Sequence, residues 1–251
     1  MAAHDVPLPR HRPLAALPNP EIEAPSPAGL LREARGLLEF PKWLLRFPEL
    51  TRQPRGAGEP VMVLPGYGAN DASTAMLRAY VRYLGYAPHG WGLGRNNGQV
   101  PELLEPVIER IAALARNAGR PVELIGWSLG GYIAREAARE QPESVHQVIT
   151  LGSPVVGGPK YTAVARTYRR RGFDLDAIEA EVAARYERPL SRPVTAIYSR
   201  TDSVVAWQAC IDHQSPRVDH LEVETTHLGL GFSPEVYRII ARRLAREGVP
   251  A

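Results

Sequence analysis

The stretch that decides the fold is LIGWSLGGYIARE, residues 124–136. It starts within an apolar run over 121–125 and ends in a helical pattern that reaches residue 140. Between them stands Gly126-Trp127-Ser128-Leu129-Gly130. A serine on so sharp a strand-to-helix turn is held in a strained backbone conformation, and only small neighbours fit beside it. The strain lifts the hydroxyl out at the top of a sheet, and the N-terminus of the following helix favours negative charge developing there. Ser128 is therefore a candidate nucleophile. The plainer alternative is a serine that caps a helix. The pattern alone decides little in a chain with 22 glycines, so the surrounding sequence must supply the frame.

Short apolar runs at 61–64, 86–91, 121–125, 146–151, 193–198 and 219–223 predict strands. Helical spacing over 71–84, 101–118, 128–140 and 233–246 separates most of them. Asp71 is a candidate N-cap for the first of these helices, and Ser233, followed by Pro234, for the last. The alternation predicts an α/β fold: a mainly parallel sheet of about six strands, with right-handed crossovers and helices on both faces. The interval between the fourth and fifth runs is too long for one crossover. Its helical patterns at 159–171 and 174–187 predict a small helical cap inserted at about 153–192, over the strand ends where ligands bind in open α/β sheets. Residues 1–27, with seven prolines, predict an extended or disordered arm. Residues 28–251 then form one domain. Its first helix, 28–47, either packs on the body or serves as a flap or a lipid contact.

A serine hydroxyl needs a base, and the base an orienting acid. Asp202 follows the run 193–198 and His227 follows 219–223, each in a loop. The competitors are worse placed. His220 lies inside a strand, His213 on a helical pattern, His4 and His11 in the arm, and Asp212 and Asp219 away from the strand's C-terminal end. An oxyanion would need two backbone donors. Leu129 supplies one, and Tyr67 is the candidate for the other, because Gly66 and Gly68 on either side let its amide turn. Gly66, Trp127 and Trp207 are candidates for the substrate pocket.

Four segments, VLPGYGAND, GWSLGG, SRTDSVV and THLGLGFSPEV, carry a resemblance to the α/β-hydrolase fold superfamily, serine esterase and lipase type. It covers about residues 60–247 and is nearest to a bacterial group with this Pro-Gly-x-Gly loop and His-Leu-Gly-Leu-Gly ending. The family's chain order of nucleophile, acid and base is the order of Ser128, Asp202 and His227. The resemblance implies a serine carboxylester hydrolase that works through an acyl-enzyme on a small-molecule ester or lipid. Two alternatives stay open: transfer of the acyl group to an alcohol or amine, and a non-catalytic binding protein on the same fold. Pro65 stands where the family's common loop has histidine, which weakens any carry-over of substrate. The full family sheet opens with two further strands, for which there is no room before residue 60.

Composition bounds the remainder. A net charge of +3 with scattered basic residues gives no nucleic-acid footprint. The exception is the run Arg166, Arg169, Arg170 and Arg171, read as a solvated helix face or as attraction for anionic substrates or head groups. The single cysteine, Cys210, permits no internal disulfide. No signal-like or membrane-spanning apolar run is present, so a soluble, cytoplasmic protein is expected, with peripheral membrane contact and oligomeric state open. No cluster has metal-ligand spacing, and no metal or cofactor is expected. GWGLGRNNG, 90–98, lacks the third glycine of a dinucleotide loop and is expected to line the pocket; GSPVVGGPK, 152–160, lacks the ending of a phosphate loop.

Overall fold

The computed structural model describes residues 22–245; most of the proline-rich arm lies outside the described residues. Six strands form one sheet: β1 (Pro60–Leu64), β2 (Ala87–Gly90), β3 (Val122–Trp127), β4 (Val145–Leu151), β5 (Val194–Tyr198) and β6 (Val218–Glu222). Their order is β2-β1-β3-β4-β5-β6, and every pairing is parallel. The helices are α1 (Leu30–Glu33), α2 (Glu39–Leu50), α3 (Ala75–Tyr83), α4 (Val100–Ala118), α5 (Leu129–Glu140), α6 (Ala165–Arg170), α7 (Leu175–Arg185) and α8 (Pro234–Leu244).

Successive side chains of a strand point to opposite faces, and here both faces are apolar. Val61, Val63, Ile125 and Ile149 pack with Val81 of α3 and Ile240 of α8 on one side. Met62, Leu64, Leu124 and Val148 pack with Ile111 of α4 and Ile133 of α5 on the other. Burying each such side chain contributes about 1.5–3 kcal/mol, so the two-sided core fixes the sheet. Register then sets the top of the molecule. Leu64 pairs with Gly126, Trp127 with Leu151, and Tyr198 with Glu222. The loops that follow β1 and β3 therefore leave the sheet side by side, as do those after β5 and β6.

Several local expectations are corrected. Residues 28–47 are not one helix: 3-10 turns at Pro27–Gly29 and Ala34–Leu38 split the segment into α1 and α2. The pattern at 159–171 likewise divides into a 3-10 turn, Gly158–Tyr161, and α6. The helix expected from residue 71 opens as a 3-10 turn whose cap is Asn70, accepting from Ala72 N at 3.0 Å. Asp71 instead accepts from Trp91 N at 2.9 Å and Gly92 N at 3.0 Å, because the end of β2 offers two amides at once. Ser233 holds the cap position of α8 without a side-chain bond. His213 sits in a turn rather than a helix.

The segment between β4 and β5 lies against the strand ends. Arg185 of α7 binds Glu136 of α5 at 3.0 Å, and Tyr186 Oη donates to Val155 O at 2.8 Å. Tyr168 of α6 donates to Gly98 O at 3.2 Å. Among the described residues no helix is long and apolar enough to cross a membrane.

Candidate active site

Ser128 has φ 54° and ψ −125°, and among the described residues it alone combines a positive φ with a side chain. Such a backbone costs about 1–3 kcal/mol and persists only where its surroundings over-determine it. They do so here. Ser128 N donates to Leu151 O at 2.8 Å, and Gly131 N donates to Ser128 O at 2.9 Å. A Cβ at position 126 would lie 2.3 Å from Gly131 Cα, and one at 130 would lie 2.4 Å from Leu64 O. The two glycines flanking the serine are small because the helix and the first strand pass through that space.

His227 and Asp202 meet beside this turn. His227 Nδ1 is 2.6 Å from Asp202 Oδ2, and Asp202 Oδ1 accepts from Val204 N and Val205 N at 2.8 Å each. The aspartate is thus fixed by its own loop, with one oxygen aimed at the imidazole. Burial disfavours the imidazolium. The Asp202 charge and hydrogen bond, with the Glu33 charge behind them, outweigh it, so the His227 pKa lies above its ordinary 6.5. His220 has no such setting. Its Nε2 accepts from Asp212 N at 3.0 Å, and burial lowers its pKa to about 4, which leaves it a neutral structural group.

Glu33 was not legible as a site residue. Its side chain is buried; Oε1 accepts from Ser203 N at 2.8 Å and Oε2 from Leu228 N at 2.8 Å. One carboxylate thereby joins the residue after Asp202 to the residue after His227. The backbone around it lies equally close: a Cβ on Gly36 would come 2.5 Å from Thr226 Oγ1 and 2.6 Å from Gly229 N. The one sequence signal was an acid within an otherwise apolar and basic stretch.

The loop after β1 covers the serine from above. A Cβ on Gly66 would lie 3.2 Å from Ser128 Cβ. Among the described residues no acceptor is bound to the Tyr67 or Leu129 amide, whereas Gly68 N donates to Asn96 O at 2.7 Å and Ala69 N to Gly66 O at 3.1 Å. Fully buried Asn96 clamps this loop through Nδ2, which donates to Pro65 O at 2.9 Å. This is the part that GWGLGRNNG plays, together with Gly98 in a neighbouring cavity wall. Arg171, from the basic run, is exposed yet reaches back to Tyr67 Oη at 3.2 Å and Asn97 O at 3.1 Å.

Ser128 and His227 open onto one cavity of about 300 Å³, lined mainly by apolar groups that include Trp127, Leu129, Pro154, Val164 and Tyr168. A second cavity of about 380 Å³ shares Leu129, Pro159 and Tyr168 as its wall. Gly66 and Tyr67 also line the first cavity. Trp127 does more than border it. Its Nε1 donates to His227 O at 3.3 Å, and its ring meets Phe232 edge-on at 6.3 Å, so it seats the histidine loop. Trp207 is the misplaced candidate: it does not line this cavity. It stacks on Tyr198 at 5.9 Å with the Arg200 guanidinium 4.2 Å above it, because the chain turns away after Val205. Among the described residues no cluster of histidine, cysteine or carboxylate side chains is built to hold a metal.

Comparison with known proteins agrees with this architecture. Residues 94–169 match the family model of the PGAP1-like alpha/beta domain. A pimeloyl-(acyl-carrier protein) methyl ester esterase of Aeromonas hydrophila is 33% identical over 103 residues, 39% of each chain. One from Aliivibrio fischeri is 30% identical over 105 residues, 40% of this chain and 39% of its own. The match thus spans about two fifths of these curated relatives. Among solved structures, one of the two metagenome-derived lipolytic enzymes LipS and LipT superposes with TM-score 0.61 at 17% identity, covering 77% of this chain and 94% of that one. The monoacylglycerol lipase of Paleococcus ferrophilus gives 0.55 at 15% identity, covering 75% and 94%. The chain has the α/β-hydrolase fold.

Proposed function

We propose that this α/β-hydrolase-fold protein is a serine carboxylester hydrolase. The observation that carries the reading is the convergence on one apolar cavity of a serine in a strained turn and a histidine bound to a buried aspartate. Ser128 Oγ attacks the ester carbonyl carbon as His227 Nε2 takes its proton. Asp202 holds the other ring nitrogen protonated and stabilises the imidazolium. The Leu129 and Tyr67 amides receive the oxyanion, each worth roughly 3–4 kcal/mol in the transition state. The imidazolium returns the proton to the leaving alcohol, and water, activated by the same histidine, releases the acid. The names of these relatives, methyl ester esterases of an acyl chain on a carrier protein, support an ester as substrate.

The test is active-site labelling. A fluorophosphonate is expected to modify the folded chain once, at Ser128, and a peptide map with no adduct there would end the proposal. Acyl selectivity gives a second check. Within a p-nitrophenyl ester series kcat/KM is expected to rise about fourfold per added methylene until the first cavity is full. Tyr168→Ala, which opens the wall between the cavities, is expected to move the optimum to longer chains. The apolar lining also favours acyl transfer, since it makes water a poorer competitor; product ratios in water containing an alcohol measure that share.

Glu33 acts in this reading as a positioning residue. Glu33→Gln keeps the shape but removes a charge that raises the His227 pKa. Since the neutral imidazole is the working base, the acid limb of kcat/KM is expected to move to lower pH, while kcat on the plateau falls by about tenfold as the two loops loosen. A drop in rate with an unmoved limb would mean that Glu33 is only structural.

A further inference from the structure

All but one of the large apolar side chains that stand exposed among the described residues lie on a single segment, residues 30–47. Eight are on residues 30–47: Leu30, Leu31, Leu37, Leu38, Phe40, Leu44, Leu45 and Phe47. The ninth, Tyr83, joins them through its ring contact with Phe47 at 6.2 Å. Leu31 is 86% exposed, Leu45 81% and Leu37 61%. The pattern is regular, with a leucine pair at 30–31, 37–38 and 44–45. All six of these leucines are exposed, whereas Glu33, Gly36, Glu39 and Leu50 are buried on the other side of the segment. The segment is thus two-sided, its inner face spent on the Asp202 and His227 loops and on α8.

Isolated exposed leucines need no explanation, but a contiguous patch marks an interaction surface. Charge decides the partner. The exposed charges on the segment are Arg32, Arg35, Lys42 and Arg46, all basic. Its acids are withdrawn: Glu33 and Glu39 are buried, and Glu49 is half-buried between Arg46 at 3.1 Å and Arg238 at 3.6 Å. Exposed Arg52 and Arg55 continue the basic margin, with the Arg55 guanidinium 4.9 Å over the Tyr83 ring. A second copy meeting this face would set its cations against the same cations. An interfacial helix has the opposite need, apolar side chains for the acyl boundary and basic ones for anionic head groups.

We propose that the outer face of residues 30–48 docks the protein on an anionic phospholipid bilayer. The apolar side chains enter the head-group boundary, while Arg32, Arg35 and Arg46 lie at phosphate level with their stems along the apolar stripe; Lys42 is held by the buried Glu39 at 2.8 Å. The element that touches lipid is then the one whose inner side holds the two loops of the site.

Flotation with vesicles, without substrate, tests this independently of the catalytic reading. The full chain is expected to float with vesicles of phosphatidylcholine mixed with phosphatidylglycerol, less with phosphatidylcholine alone, and less as salt rises. Leu31→Ser/Leu37→Ser/Leu45→Ser is expected to weaken vesicle affinity by about tenfold or more. Its turnover of a soluble short-chain ester should stay at the wild-type rate. Arg35→Ser/Arg46→Ser is expected to weaken binding to the anionic vesicles by about tenfold and to remove their advantage. No flotation of the wild type, or equal flotation of the leucine variant, overturns the proposal. So does a dimer in solution that the leucine variant dissolves, which would make the patch a contact between copies.

Discussion

Ser128→Ala is expected to lower kcat/KM for short p-nitrophenyl esters by about a million-fold, to a residue set by the oxyanion donors and binding alone. The loss is large because, in the proposed mechanism, the Ser128 hydroxyl oxygen forms the covalent bond to the substrate carbonyl. The variant should unfold at nearly the wild-type temperature. Alanine keeps the Cβ, and the bonds that hold the turn, from Ser128 N to Leu151 O and from Gly131 N to Ser128 O, are made by backbone. Stopped assays at high enzyme concentration, with thermal melting beside them, measure both quantities. A fall of only tenfold would place the nucleophile elsewhere.

Asp202→Asn is the second large effect, expected at about ten-thousand-fold in kcat. Asp202 accepts three hydrogen bonds, two from amides of its own loop and one from His227. An asparagine keeps one acceptor oxygen. With the two amides fixed, its NH2 faces the imidazole and selects the tautomer whose Nε2 carries the proton and cannot act as base. The pH profile carries a second signature. The aspartate charge and hydrogen bond raise the His227 pKa against the effect of burial, so their loss lowers it and the acid limb of the residual activity moves to lower pH. A limb at its wild-type position would mean that another carboxylate faces the histidine.

What the sequence made legible were groups whose place is set by their own strand. Ser128, Asp202 and His227 each follow the C-terminal end of a parallel strand within a few residues, and parallel register brings such ends together without knowledge of side-chain packing. Tyr67 and Gly66 were legible for the same reason. The groups whose contacts escaped are held by tertiary structure. Glu33, Asn96 and Arg171 lie 27 or more positions from every residue of the site that they touch; the sequence marks the segments of Asn96 and Arg171 but not their partners, and Glu33 only as an acid in an apolar and basic stretch. Trp207 shows the converse: it stands five residues after Asp202 in sequence, but the loop closes on itself at Val204 and Val205 and carries the ring to Tyr198. Asp71 was misread as a cap because a neighbour, Asn70, could do that work, while two amides at the end of β2 needed a carboxylate.

The Glu33 bridge also bears on when, in the life of a molecule, the proposed site can form. Its two hydrogen bonds close loops of 170 and 195 residues, among the costliest closures available to this chain and therefore expected late in folding. A ribosome-bound chain carries Glu33 long before Ser203 and Leu228 emerge. Until they do, Glu33 has no amides to bind, and the inner face of the early segment has no place to dock. The paired loops of Asp202 and His227 are thus a report that residue 33 has found residues 203 and 228, and a chain that ends before them cannot assemble the proposed site.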